Sequence, residues 1–113
     1  MKYWFAVTIL AAGLLSAPVL AADETAEAKR LHGLFDKEWE ARLKVDPFLA
    51  TSVGRNEYND QLPSADVADF QRWIDATKGF LTELKAIDRS RLSADDQVNY
   101  DIFRRQLENR VID

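Results

Sequence analysis

Leu31, Leu34, Phe35, Trp39 and Leu43 recur at intervals of three and four, with mostly polar and charged residues between them. That spacing puts the five on one side of a helix and predicts an amphipathic helix from about Thr25 to Val45. Glu38 stands four residues before Arg42 and Glu40 four before Lys44, the favourable order for ion pairs on a solvated face. Asp46-Pro47 stops the helix, because a residue before proline is pushed out of the helical region. The same two residues can cap and open the next helix. A short helix from Pro47 to about Ser52 is therefore expected, closed by Gly54.

Farther along, Ser64 or Asp66 can cap a third helix with an apolar stripe of Val67, Phe70, Trp73, Ile74, Thr77, Leu81, Leu84 and Ile87. Gly79 is its soft spot. Ser93 with Asp96 three residues later resembles a capping box, and Asp95 and Asp96 sit where a helix dipole favours negative charge. The fourth helix directs Val98, Ile102, Phe103, Leu107 and Val111 toward a core. Asp101 with Arg105, and Arg104 with Glu108, pair along its surface. No alternating β-branched run, internal repeat or low-complexity segment interrupts this pattern. The fold class expected is all-α: an incomplete helical bundle of three longer helices and one short helix after a signal peptide. At Arg110 to Asp113 the helical pattern still runs, with no Gly, Asn or Pro to close it, so a longer helical protein is expected.

The segment ahead of these helices has a different character. Lys2 precedes the uncharged apolar run Trp4 to Leu15, and small residues follow before the first acids. This is the order of a secretory signal peptide, residues 1–21, with cleavage expected after Ala21 because Val19 and Ala21 then occupy the two positions that need small side chains. An uncleaved anchor is the alternative, and a membrane-tethered helical spacer would require it. Thr8, Gly13, Ser16 and Pro18 weaken the stretch as a span. Export to a bacterial periplasm, or secretion, follows, with no stable membrane span after cleavage and residues 22–113 as one helical segment.

Composition narrows the function classes. The chain holds 15 basic and 19 acidic residues among 113, a net charge of −4, with the basic residues scattered among acids. It carries no electrostatic footprint for nucleic acid or for anionic membrane. Cysteine is absent, which excludes both a lipid-modified N-terminus and disulfides, so the fold is held by its core alone.

No constellation for chemistry is complete. His32 is the single imidazole, whereas zinc sites need three or four ligands at set spacings, and His32 reads as a surface or interfacial histidine. Nucleophilic catalysis has no candidate, and the isolated glycines form no phosphate-cradling loop. The sequence therefore assigns no catalytic, cofactor-binding or metal-binding residue. The aromatics Phe35, Trp39, Phe70, Trp73, Phe80 and Phe103 stand at helical spacing and read as core.

The stretch SVGRNEYNDQLPSAD, Ser52 to Asp66, admits two readings. As a site, Asn56, Tyr58, Asn59 and Asp60 would line a substrate groove, since loops held by helices often carry binding groups. As a joint, Gly54 ends one helix, Asn59-Asp60 turns the chain, Tyr58 and Leu62 pin the loop on the core, and Ser64 or Asp66 starts the next helix. The joint accounts for more of the residues.

Two runs carry a family resemblance. LHGLFDKEWEARLKVDPFLATSVGRNEYNDQLP, from Leu31 to Pro63, and LKAIDRSRLSADDQVNYDIFRRQLENRV, from Leu84 to Val111, resemble the N-terminal region of the bacterial domain-of-unknown-function 885 family. The pattern LSxxDxxNYDxFRxQL, here Leu92 to Leu107, is its most specific part. The resemblance implies a large, exported, mainly helical protein similar to zinc-dependent metallopeptidases, with peptide substrates. Its metal and catalytic centre would lie in a downstream His-Glu and Pro-Gly-His-His region. None of those ligands falls on a residue of this chain. The resemblance thus makes this chain the N-terminal fragment of a hydrolase, inactive alone, whose partner is the missing C-terminal part of the same protein. The alternative is a small, self-contained periplasmic helical module that binds a partner through an exposed apolar stripe.

Overall fold

Thr25 starts the first helix: its Oγ1 accepts from the Ala28 N–H at 3.1 Å, so α1 runs Ala26–Val45. A computed structural model describes residues 24–112 of the chain, and the expected signal segment, Met1 to Ala21, lies outside them. Asp46 then serves both neighbours. Its N–H closes α1 on the Arg42 carbonyl at 2.9 Å, and its Oδ1 accepts from Leu49 N–H at 2.9 Å to open α2, Pro47–Ser52. Proline sits at the start of α2, where its missing N–H has no helical partner to lose.

Gly54 closes α2 with φ of 82°, the left-handed region that glycine enters without steric cost. Gly54 N–H bonds to Thr51 O at 3.0 Å and Arg55 N–H to Ala50 O at 2.8 Å, the paired bonds of a Schellman ending. After a connection through residue 66, Asp66 caps α3, Val67–Lys85, with Oδ1 accepting from Ala68 N–H at 2.8 Å. Of the two expected caps Asp66 does the work, and the Ser64 hydroxyl accepts from the Asp66 N–H instead. Gly79 leaves α3 unbroken. Ser93 Oγ accepts from Asp96 N–H at 3.2 Å at the start of α4, Ala94–Ile112. The described residues are all-α, with three longer helices, one short helix and no strand, as the pattern predicts.

Cross-helix contacts set the directions. The first turn of α1 meets the connection after α3, where Glu27 Oε2 accepts from Asp88 N–H at 2.8 Å, and Trp73 near the start of α3 meets Arg110 near the end of α4. His32 meets Asp96, and Phe35 packs edge-on against Phe103 at 4.9 Å between centroids. Hence α1 and α4 run parallel to each other and antiparallel to α3. Between the three lies a core of Leu31, Leu34, Phe80, Leu84, Phe103 and Leu107, extended by Ile87, Leu92 and Tyr100. Burial of each large apolar side chain contributes about 1.5–3 kcal/mol.

Two parts of the expected core lie outside it. On α4 the buried residues are Tyr100, Phe103 and Leu107, whereas Val98 and Ile102 are 57% and 53% exposed. On α3 the buried face is Ile74, Thr77, Phe80 and Leu84, leaving Val67 and Phe70 in solvent. Both helices carry more apolar positions than one face can hold, and the neighbouring helices select which set is covered.

Candidate functional site

The residues from Ser52 to Asp66 form a turn closed mainly by its own polar groups. Asn56–Tyr58 is a single 3-10 turn, continued by Asn59 N–H to Asn56 O at 3.2 Å and Gln61 N–H to Tyr58 O at 3.0 Å. The Thr51 hydroxyl donates to Asn59 Oδ1 at 2.7 Å, and Asn59 Nδ2 donates to Asn56 Oδ1 at 3.3 Å. Arg55 anchors the loop to α1: its guanidinium reaches both carboxylate oxygens of Glu40, at 2.7 and 3.0 Å, and Glu57 Oε1 at 2.6 Å. These bonds hold the Glu40 and Glu57 carboxyls below the usual carboxylate range and push Arg55 upward.

Of the four sequence candidates, the structure bonds Asn56 and Asn59 to each other, half-buries Tyr58 and leaves Asp60 exposed. They are neighbours along one turn. Leu62 does not pin the loop, being 80% exposed. Glu40 faces Arg55 in place of the expected Lys44, and Asp101 faces Arg89 in place of Arg105, with bonds of 2.9 and 2.7 Å. In each case a partner from a connecting segment presents a guanidinium that meets both carboxylate oxygens, whereas a pair along one helix must bridge a turn.

Beside this loop lies an open groove of about 850 Å³ between the end of α1, α2, residues 61–64 and the first half of α3. Its apolar wall is Phe48, Leu62 and Phe70, which are 65%, 80% and 58% exposed, with Trp73 and Val45 beside them. Lys44 and the Asp69–Arg72 ion pair stand on its rim.

The most buried charge is Glu38, 2% exposed, where the sequence pattern expects a solvated face. Arg42 bonds its carboxylate at 2.7, 2.8 and 3.1 Å, and Arg110 adds a bond to Oε1 at 2.8 Å. The Arg42 and Arg110 guanidiniums lie 5.6 and 5.2 Å from the ring centres of Trp39 and Trp73. The cluster ties α1, α3 and α4 together. Its carboxylate is met by two guanidiniums, which suits it to holding the helices in register. No signal in the sequence connects Glu38 to Arg110, because the pair is 72 residues apart.

His32 lies at the opposite end of the α1–α4 seam. Its Nε2 is 3.0 Å from Asp96 Oδ1, and its Nδ1 meets Glu24. The bond to Asp96, set against partial desolvation, raises His32 above its ordinary value and lowers Asp96 below its own. The acid that the sequence assigns to the helix dipole is thus also the partner of the imidazole. Each ring nitrogen of His32 thus meets a carboxylate. Among the described residues no three His, Cys, Asp or Glu side chains come together as metal ligands. The residues in these helices therefore do not fit the zinc that the family resemblance implies. Among the described residues no helix is long and apolar enough to cross a membrane.

No curated protein and no solved structure matches this chain. The family model described as a bacterial protein of unknown function, DUF885, matches residues 47–113, which is more than half of the chain. The match opens at the proline of α2 and takes in the candidate turn, the groove wall on α3 and the whole Leu92 to Leu107 pattern. On that match the chain belongs to the DUF885 family.

Proposed function

We propose that these helices are the N-terminal scaffold of an exported, metal-dependent hydrolase of this family, with peptides as its substrate class. The catalytic and zinc-binding groups would come from a further part of the same protein. In this reading the turn from Ser52 to Asp66 is a joint, and the helical segment is inactive alone. The observation that carries the reading is the groove walled by Phe48, Leu62 and Phe70, an apolar face of the family-matched region left uncovered. Its occupant would be the catalytic part of the same enzyme.

The test uses the full-length parent protein. Chelator-sensitive peptide hydrolysis by the parent, with none from residues 22–113, is expected. Burial of Phe70 in the parent, read by loss of labelling at a Phe70→Cys variant, is expected with it. Hydrolysis by residues 22–113, or a Cys at position 70 that labels equally in both, would overturn it. N-terminal sequencing of the exported protein is expected to begin at Ala22.

The same uncovered face favours one second reading, a self-contained periplasmic module that binds a partner protein there. A reading frame that closes at Asp113, together with cooperative unfolding of residues 22–113, would select that alternative.

A further inference from the structure

His32 projects from α1 between two carboxylates that belong to different parts of the chain. Asp96 comes from the first turn of α4, and Glu24 from the lead into α1. The Phe35 ring stacks against the imidazole with centroids 6.1 Å apart. Neutral imidazole has one N–H and one bare lone pair, so it can donate to a single carboxylate, and the other would face it lone pair to lone pair. Imidazolium donates to both. The two-sided arrangement is therefore that of the protonated ring.

The two carboxylates are not equally held. Asp96 is built into α4, where Ser93 Oγ accepts from its N–H at 3.2 Å and Asn99 Nδ2 donates to its Oδ1 at 3.4 Å. Glu24 lies ahead of the Thr25 cap, outside any helix. When the ring has only one N–H to give, the anchored partner keeps it.

We propose that His32 is a proton-operated tie, which in its protonated form holds Glu24 and Asp96 together and on losing the proton keeps Asp96 and releases Glu24. The device would control how firmly Glu24 is held against α1 and α4, three residues after the expected signal-cleavage point at Ala21. It rests on no assumption about the reaction. The charged groups that act on the ring are Asp96 from α4 and Glu24 from the lead, while Asp36, one turn on along α1, is exposed. The ring's ordinary value is 6.5 and its value here is raised. The tie is therefore complete below pH 6.5 and is lost as pH rises through that raised value.

His32 is the one imidazole in the chain, so its Cε1 proton gives an unambiguous NMR titration. In the intact chain it is expected to titrate above 6.5, with the backbone heteronuclear NOE of Glu24 falling in step. Glu24→Gln is expected to shift the titration downward, and Asp96→Asn to shift it farther. His32→Gln should remove the pH response at Glu24. The proposal is overturned by a Glu24→Gln titration that superimposes on that of the unaltered chain, or by a Glu24 NOE that stays constant while His32 titrates.

Discussion

Arg110 Nη1 lies 2.8 Å from Glu38 Oε1, joining the last turn of α4 to the middle of α1. Because Arg42 engages the same carboxylate, Glu38 sits between two guanidiniums in a position with almost no solvent contact. Such a cluster does little for stability when complete, since desolvation offsets attraction, but breaking it is costly. Replacing both arginines, Arg42→Met with Arg110→Met, strands the buried carboxylate and is expected to cost about 3–5 kcal/mol in urea unfolding. Adding Glu38→Met to that pair should recover most of the loss. A double variant as stable as the parent would show that Glu38 reaches water by another route.

Two glycines are expected to respond with opposite signs. A methyl at Gly54 meets no neighbour, but φ of 82° is unfavourable for any L side chain, so Gly54→Ala should destabilise by about 1–2 kcal/mol. Gly79 is in the middle of α3 with open space at its Cβ, so Gly79→Ala should stabilise by about 0.5–1 kcal/mol. Thermal unfolding of the two variants side by side checks both signs.

The groove wall should be separable from the core. Phe48→Ser, Leu62→Ser and Phe70→Ser are each expected to change stability by no more than about 0.5 kcal/mol, as surface substitutions do. Leu84 is fully buried, and Leu84→Ala is expected to cost about 2–5 kcal/mol. A large loss at Phe70 would mean that the groove is covered in the isolated chain.

Tyr58→Ala bears on the turn from Ser52 to Asp66. If the proposed hydrolase reading holds, the variant should leave hydrolysis per folded molecule by the longer protein unchanged, because the turn is held by Thr51, Asn56 and Asn59 instead. Loss of activity with retained stability would move the turn into the substrate groove.

Stability should be greatest in mildly acidic solution. Glu40 and Glu57 are held below their ordinary 4.5 by Arg55, while Asp88, Asp96 and Asp101 are held below 3.8 by Ser90, His32 and Arg89 respectively. A lowered carboxyl contributes stability above its ordinary value and loses it as pH falls through the folded one. The raised His32 contributes below 6.5 and loses its share as pH rises. The urea midpoint is therefore expected to peak between pH 4.5 and 6.5. His32→Gln should flatten the alkaline side and, because Asp96 loses the partner that lowers it, remove the Asp96 share of the acid side as well.

Much of this fold is legible in the sequence because its signals are local. Thr25, Asp46-Pro47, Gly54, Asp66 and Ser93 each act on backbone groups within a few residues, so the helix boundaries can be read along the chain. Which apolar stripe of α3 or α4 is buried depends on where other helices lie. Val98 and Ile102 therefore read as core until the packing of α1 and α3 selects Tyr100, Phe103 and Leu107. The polar site fails for the same reason. Spacing offers Glu38 to Arg42 and Glu40 to Lys44, and it contains nothing about Arg110, Arg55 or Asp96 arriving from elsewhere. At the turn, Asn59-Asp60 reads as a turn former along the chain, whereas the bond of Asn59 to Asn56 and the arginine that fastens the turn to α1 do not.

The corner at Asp46 leaves the chain no slack. One residue ends α1 with its N–H and starts α2 with its carboxylate. An inserted residue there would swing α2 by about 100° about its axis, the rotation per residue of an α-helix. Pro47 and Ala50, now buried, would turn away from the body of the protein, and Gly54 would be carried out of position. Length variation among related chains should accordingly gather in the connection after residue 59 and spare the corner, where even a single deletion would change the surface that α2 offers to a neighbour.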